Sequence, residues 1–293
     1  MTALHILVLA LILVGFALWV RRRRQQSLQV IETVVFENIG SRVLDDRRDI
    51  TVFLPPNYHQ RESERFDVLY LNDGQEWESL GLRETLAKLT TTGRIRPIIV
   101  VAVPTGANRM QEYGTAVAMN DHELGTQAAE YSQFIVDELM PEIDDLFRTR
   151  PGAAIMGVSL GGLSAFDIAW NHPERFSSVG VMSGSFWWRA RDDEERIDAG
   201  RRIAHSMVRN ADRLPPLRFW FQAGTRDEVN DRDGDGVIDA IQDTRELMAA
   251  LQARGIAPER MRYVEIKGGR HDYETWARAL PDFLEWAFSA GKI

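Results

Sequence analysis

Apolar runs of strand length alternate with amphipathic stretches along most of the chain. The runs are FDVLYL (66–71), PIIVVAV (97–103), AAIMGV (153–158), SVGVMS (178–183), LRFWFQAG (217–224) and RYVEI (262–266). Continuously apolar strands separated by helices are typical of a parallel sheet that is covered on both faces. The pattern therefore predicts an α/β fold with a mostly parallel central sheet.

The segments between these runs carry a helical period. From Gln127 to Leu146 the apolar side chains recur at spacings of three and four residues, which places them on one helical face. These side chains are Tyr131, Phe134, Ile135, Leu139, Ile143 and Leu146. Before the first parallel run, the β-branched stretches VIETVVFEN and DITVFLPP predict an opening antiparallel pair of strands that ends at Pro55 and Pro56.

The N-terminus differs in character from the rest of the chain. Ala3 to Val20 is an 18-residue stretch in which His5 is the one strongly polar residue, and Arg21 to Arg24 follow directly. That length just spans a hydrocarbon core of about 30 Å. A cleaved signal peptide would carry its positive charge before the apolar run, so residues 1–24 are predicted to be a retained transmembrane anchor. A buried or interfacial helix is the alternative.

The basic flank of this anchor also predicts an orientation. The positive-inside rule keeps the four arginines in the cytoplasm. We therefore expect a single-pass membrane protein whose main domain, residues 25–293, lies in the cytosol.

The composition limits the classes of binding partner and the types of nucleophile that the protein can have. The formal net charge of −8 argues against a nucleic-acid binder, because neutralising phosphates requires an excess of Lys and Arg. Small molecules are the expected partners, and the sequence does not indicate an oligomeric state. Cysteine is absent, so a nucleophile must be an oxygen or an amine.

One serine lies between glycines at the end of an apolar run. Gly157 to Gly161 reads GVSLG, and the helix-like stretch that follows is rich in small residues. In the GxSxG pattern a sharp turn from strand to helix lifts the serine hydroxyl above the sheet edge. Ser159 is therefore the predicted nucleophile, with a plain tight turn as the alternative. The backbone amide of Leu160 would lie where an oxyanion develops.

A serine nucleophile needs a base and an acid, which follow it along the chain in the order serine, acid, histidine. Of the six histidines, His271 follows the last strand and the turn KGGR, and it precedes the last helix. It is the predicted general base. Asp227, just past Gly224, is the predicted acid, with the adjacent Glu228 as its rival. The stretch NDGQEW after the first parallel strand offers the amides of Gly74 and Gln75 as the second oxyanion donor.

Together these motifs resemble a known family. LYLNDGQEW, NRMQEYG, GVSLGGLSA, SGSFWW, GTRDE and GGRHDYETW are similar to the esterase branch of the α/β-hydrolases, which contains enterochelin esterases, feruloyl esterases and S-formylglutathione hydrolases. The resemblance implies an α/β-hydrolase fold after the transmembrane helix, with Ser159 as nucleophile, His271 as base and Asp227 as acid. It also implies an oxyanion hole formed by the amides near Gln75 and Leu160.

Two further groups of residues have a structural and a functional interpretation. Phe186, Trp187 and Trp188 follow a strand end on the same rim as Ser159, where they could hold an aryl or apolar acyl group or could fill the core. Arg109 and Glu112 are three residues apart, which favours a structural ion pair over a substrate clamp.

An Asp-rich stretch has the spacing of a calcium-binding loop. DRDGDGVID places Asp231, Asp233, Asp235 and Asp239 where such a loop has ligands, but Gln242 replaces the bidentate Glu of the twelfth position. The sequence thus predicts either a weak structural Ca²⁺ site or a solvated acidic loop.

The combined prediction is a serine hydrolase that cleaves a small-molecule carboxylic ester through an acyl-enzyme. No cofactor is required for this chemistry. The alternatives are an acyltransferase on the same fold, and a non-catalytic binding module whose expected sign would be a broken set of catalytic positions.

Overall fold

The computed structural model describes residues 31–120, 122–190 and 202–290. The predicted membrane anchor, residues 1–24, lies outside these ranges. Among the helices within them, none combines the length and the apolar character that a membrane span requires.

A single eight-stranded sheet organises this part of the chain. Its strands are β1 (Glu32–Ser41), β2 (Asp46–Leu54), β3 (Asp67–Asn72), β4 (Ile98–Val103), β5 (Ala153–Val158), β6 (Phe176–Met182), β7 (Arg218–Arg226) and β8 (Met261–Arg270). They lie in the order β1-β2-β4-β3-β5-β6-β7-β8. The predicted antiparallel opening pair is confirmed, and β2 also runs antiparallel to β4. All other neighbours are parallel, so the mostly parallel α/β fold is confirmed.

Helices connect the strands. They are α1 (Leu82–Thr91), α2 (Arg109–Glu112), α3 (Ala128–Gln133), α4 (Met140–Leu146), α5 (Ser159–Asn171), α6 (Ile203–Asn210), α7 (Asp239–Ala253) and α8 (Tyr273–Phe288). A π-helical turn, Phe134–Leu139, joins α3 to α4. The helix predicted over Gln127 to Leu146 is therefore present, with its hydrogen-bond register shifted in the middle.

Both faces of the sheet are covered by apolar side chains, which explains the continuous apolar runs. Along β7, Phe219 packs with Phe166 of α5 and Phe221 with Phe186 on one face, whereas Trp220 packs with Phe283 of α8 on the other. Burying each such side chain stabilises the fold by about 1.5–3 kcal/mol. Strands buried on both sides have no polar face to show in the sequence.

The carboxyl ends of the parallel strands meet at one edge of the sheet, which we call the catalytic edge. Asn72 pairs with Val103 there, and Val158 pairs with Met182. The N-terminal end of β1 lies at the opposite edge, because Glu32 pairs with Leu54 at the end of antiparallel β2. In open α/β sheets, ligands bind beyond the carboxyl ends of the strands. The catalytic edge is therefore where a site is expected.

Candidate active site

Ser159 lies at a sharp turn from strand to helix. β5 ends at Val158 and α5 begins at Ser159, whose φ of 55° is in the left-handed region that costs a non-glycine residue energy. The flanking glycine is needed for the turn, since a Cβ at Gly157 would lie 2.1 Å from the carbonyl oxygen of Gly161. The local sequence thus places the hydroxyl at the catalytic edge.

The three predicted catalytic side chains are brought together. His271 Nε2 lies 2.8 Å from Ser159 Oγ, and His271 Nδ1 lies 2.8 Å from Asp227 Oδ1. An ionised carboxylate only accepts hydrogen bonds, so Nδ1 carries the proton and Nε2 is free to accept the serine hydroxyl. The Asp227 side chain is fully buried, whereas that of His271 is 43% exposed. The imidazole therefore has one fixed side and one open side.

Asp227 and His271 each lie directly after one of two neighbouring strands, β7 and β8. The amide of Gly224 in β7 donates to Asp227 Oδ2 at 3.1 Å. His271 follows β8 directly, and its ring meets the edge of Trp276 with centroids 5.1 Å apart. Asp272 caps α8 by accepting from the Thr275 amide at 2.8 Å, and this bond lowers the pKa of Asp272. The cap fixes the backbone immediately after the imidazole.

The rival acid has a different partner. Glu228 accepts a hydrogen bond from Asn230 Nδ2 at 3.3 Å, and burial raises the pKa of Glu228. The geometry therefore selects Asp227 as the partner of His271.

The two segments with the predicted oxyanion donors lie side by side. Leu160 is the second residue of α5, where backbone amides have no acceptor within the helix. Gln75 lies in the 3₁₀ turn Gly74–Glu76 that follows β3. Asn72 Nδ2 donates to the Gly161 carbonyl at 2.9 Å, which joins the two segments.

The predicted ion pair between Arg109 and Glu112 is wrong. Arg109 makes two hydrogen bonds to Asp73, and Glu112 pairs with the buried Arg48 at 3.0 Å. Each of the two residues instead pairs with a residue far away in the chain, Arg109 with Asp73 at the end of β3 and Glu112 with Arg48 in β2. The Asp73 carboxylate is buried beside the site.

Phe186, Trp187 and Trp188 divide between the two interpretations, core packing and substrate binding. Phe186 and Trp188 are 1% and 0% exposed and belong to the core, whereas Trp187 is 43% exposed. The Ser185 amide donates to the Ser159 carbonyl at 3.2 Å, so this segment borders the nucleophile. Trp187 is thus the member of the three that is available to a substrate.

The carboxylates of the Asp-rich loop form hydrogen bonds and ion pairs with other groups of the protein. The Asp231 carboxylate accepts from the amides of Gly234, Asp235 and Gly236 at 2.8–3.2 Å, and Asp233 accepts from Gln242. Arg232 contacts the carboxylates of Asp239 and Asp243.

Across the described ranges, no three acidic or histidine side chains are grouped to hold a metal ion. The proposed chemistry does not use calcium. The Ca²⁺ site stays a prediction.

Comparison with known proteins gives one family and a consistent fold. The model of the Putative esterase family matches residues 41–287. The chain is 28% identical to the iron(III) enterobactin esterase of Dickeya dadantii, with 73% of this chain and 46% of that protein covered. It is 26% identical to an endo-1,4-beta-xylanase/feruloyl esterase of Xylanibacter ruminicola, with 81% of this chain and 29% of that protein covered.

Among solved structures, a ferulic acid esterase superimposes with a TM-score of 0.66 at 22% identity, and the match covers 88% of this chain and 98% of that one. At this identity the likeness establishes the fold. The family match extends over most of the sheet and includes the segments that carry Ser159, Asp227 and His271. The chain therefore belongs to the Putative esterase family and is a carboxylic-ester hydrolase.

Proposed function

We propose that this protein is a serine esterase that cleaves its substrate through an acyl-enzyme formed on Ser159. The observation that carries the proposal is the continuous hydrogen-bonded series from Asp227 through His271 to Ser159, with both distances at 2.8 Å. Positioned nucleophile, base and orienting acid are the three parts that such catalysis requires.

In the first half-reaction, Ser159 Oγ attacks the ester carbonyl carbon while His271 Nε2 accepts the hydroxyl proton. The amides of Leu160 and Gln75 donate to the oxygen that becomes negative in the tetrahedral intermediate. The intermediate collapses, the bond to the alcohol oxygen breaks, and His271 returns the proton to the departing alcohol. Asp227 stabilises the imidazolium without taking its proton.

In the second half-reaction, water takes the place of the alcohol. His271 accepts a proton from the water, whose oxygen attacks the acyl carbon to form a second tetrahedral intermediate. Its collapse breaks the bond between the acyl carbon and Ser159 Oγ and releases the acid, while His271 returns the proton to Oγ. The 43% exposure of the His271 side chain supports access of water to this position.

The proposed substrate is a small ester with an aryl or apolar acyl group. Trp187 supports this choice, because an exposed indole beside the nucleophile offers a flat apolar surface. The name of one relative, a feruloyl esterase, also refers to esters of an aromatic acid.

Covalent labelling tests the nucleophile. A fluorophosphonate probe is expected to add one phosphonyl group to the full chain in detergent, as serine attacks phosphorus and fluoride leaves. Intact-mass spectrometry should show the adduct in the wild type and no adduct in Ser159→Ala. Ser164→Ala, a buried serine five residues further along α5, is the matched control and should label like the wild type.

Labelling that survives in Ser159→Ala would assign the nucleophile to another residue. A folded wild-type protein that takes no label would instead favour the non-catalytic binding module.

We also propose that residues 1–24 anchor the protein in a membrane, and that the domain of residues 25–293 lies on the cytoplasmic side. Its support is the 18-residue apolar stretch Ala3 to Val20 and the arginines that follow it. The full chain should stay in the membrane pellet after alkaline extraction, whereas a chain without residues 1–24 should be in the supernatant with its esterase activity intact. Equal partitioning of the two chains would exclude the anchor.

A further inference from the structure

We propose that Asp167 is a positioning residue that holds a loop against Trp188 and thereby determines how well the enzyme accepts aryl esters. The loop comprises residues 114–120 and 122–125, and we call it the rim loop. The inference rests on the proposed function, because it concerns the acyl-binding surface at Trp187, and it adds a specificity-determining residue that takes no part in the bond-breaking steps.

The rim loop leaves the body of the protein and returns to it at the same point. The Gly125 amide donates to the Met110 carbonyl at 3.0 Å, and a Cβ placed on Gly114 would lie 3.3 Å from the Cα atom of Gly125. Compact loops whose ends meet in this way are held by their own contacts and by those with the surface beneath them. The position of the rim loop therefore depends on the groups that its interior residues meet.

One of these groups belongs to the nucleophile helix. A hydrogen bond of 2.8 Å between the first and last residues of the turn 115–118 closes that turn, and the Ala116 amide donates to Asp167 Oδ2 at 2.9 Å. Asp167 lies on α5 about two turns after Ser159. Its carboxylate thus joins the rim loop to the helix that carries the nucleophile.

The Asp167 carboxylate is buried and has uncharged partners among the described residues. Asp167 is 1% exposed, and Asn171 Nδ2 donates to its Oδ1 at 3.2 Å. The titratable side chains of the rim loop that the structure describes, His122 and Glu123, lie in its other turn, past Asn120. A buried carboxylate usually has a cationic partner, since removing its charge from water is unfavourable. The charge of Asp167 is therefore only partly stabilised while the loop is closed.

The rim loop also covers the aromatic segment beside the nucleophile. Cβ atoms placed on Gly114 and Gly125 would lie 2.9 and 3.1 Å from Cζ2 of Trp188, so the loop backbone packs directly on that indole. The ring centres of Trp187 and Trp188 are 5.7 Å apart. A displaced loop would uncover Trp188 and change the support of Trp187, which is the proposed surface for an aryl acyl group.

The burial of Asp167 makes the stability of the closed loop depend on pH. Burial raises the pKa of Asp167 to about 7, the hydrogen bonds from Ala116 and Asn171 act in the opposite direction, and no charged side chain of the described residues contributes. In an open loop the carboxylate would meet water, and its pKa would return to the ordinary value of about 4. The closed loop thus binds the proton more tightly than the open one. Its stability is greatest at low pH, falls as the pH rises from about 4 to about 7, and changes little above that.

The first test is hydrogen–deuterium exchange of rim-loop peptides in the full chain in detergent, read by mass spectrometry. Loop amides exchange when the loop opens, so their exchange rate reports the stability of the closed state. Asp167→Asn keeps an oxygen that can accept from the Ala116 amide, but it carries no charge at any pH. We expect the ratio of the wild-type rate to the Asp167→Asn rate to rise by about 10-fold or more between pH 5 and pH 7. The ratio removes the pH dependence of the exchange chemistry itself.

The second test is substrate preference, measured as kcat/KM for p-nitrophenyl benzoate divided by kcat/KM for p-nitrophenyl acetate. The two esters share one alcohol, so the titration of His271 affects both and cancels in the quotient. Asp167→Leu is similar in size to the wild-type residue but offers no acceptor to Ala116. We expect it to lower the quotient about 3- to 10-fold at pH 7, because one buried hydrogen bond is lost. Asp167→Asn should give a quotient equal to or above that of the wild type.

Asp49→Leu is the matched control. Asp49 also accepts a hydrogen bond from a backbone amide, that of Asn38 at 2.8 Å, but it is exposed and lies on the β1–β2 pair. This variant should leave the loop exchange and the ester quotient unchanged. Labelling by a short-chain fluorophosphonate should proceed at the wild-type rate in all of these variants, since none alters Ser159 or its hydrogen-bonded partners.

An unchanged ester quotient in a folded Asp167→Leu protein overturns the inference, whatever its melting temperature, because Asp167 would then serve the stability of α5 alone. An exchange ratio that does not change with pH overturns it as well, and this comparison decides the question if Asp167→Leu does not fold. A folded wild type that takes no fluorophosphonate label would instead refute the proposed function. Loop exchange does not depend on catalysis, so the two failures are distinguishable.

Discussion

Replacing Ser159 with alanine is expected to lower kcat for a p-nitrophenyl ester by a factor on the order of 10⁵–10⁶. Without the Oγ atom no acyl-enzyme forms, and only the oxyanion donors and substrate binding remain to assist direct attack by water. The measurement is kcat for the purified full chain, with melting temperatures to show that each variant is folded.

His271→Ala should cause a loss of similar size, because Ser159 and His271 act as one unit and their separation is 2.8 Å. The double variant should be no slower than either single variant. Losses that multiply in the double variant would show that the two residues work independently and would contradict the proposed mechanism.

Asp227→Asn is expected to lower kcat at neutral pH by a factor on the order of 10⁴. The asparagine keeps the shape of the side chain, but its NH₂ group can donate to His271 Nδ1. That donation favours the tautomer with its proton on Nε2, which cannot accept the Ser159 hydroxyl proton. The structure predicts this effect for Asp227 because its Oδ1 lies 2.8 Å from Nδ1.

Glu228→Gln is the matched control, since the two acids are adjacent and either could have been chosen from the sequence. Glu228 is hydrogen-bonded to Asn230, so the variant should retain kcat within about twofold of the wild type. A large loss in Glu228→Gln, with Asp227→Asn active, would exchange the roles of the two residues.

The order of elements and the position of the nucleophile were predictable because they depend on local sequence. The apolar run 153–158 became β5 with those bounds, and a strand followed by GVSLG has few conformations available to it. The last helix, expected directly after His271, is also present as Tyr273–Phe288.

The ion pairs of Asp73 with Arg109 and of Glu112 with Arg48 were not predictable in the same way. Asp73 and Arg109 are 36 residues apart in the chain, and Arg48 and Glu112 are 64 apart. Which acid a given arginine meets depends on how β2, β3 and α2 pack, and no local spacing encodes that. The nearest available partner in sequence, Glu112 for Arg109, was consequently the wrong one.

Neighbouring tryptophans illustrate the same limit. Trp187 and Trp188 have identical chemistry, yet one is 43% exposed and the other is fully buried. An irregular segment after a strand has no period from which to read the inward direction. In contrast, the alternating acids of residues 231–235 do have a readable spacing, and there the Asp231 carboxylate accepts hydrogen bonds from three backbone amides of its own loop.

The antiparallel opening pair has a practical consequence for how the enzyme can be handled. Because β1 starts at the edge of the sheet opposite the catalytic edge, an attachment at the start of β1 lies one strand length, roughly 20 Å, from Ser159. A solid support, a fusion partner or an affinity tag placed there would leave the approach to Ser159 open. Immobilisation through the N-terminus should accordingly yield a bead-bound catalyst whose entrance faces the surrounding solution.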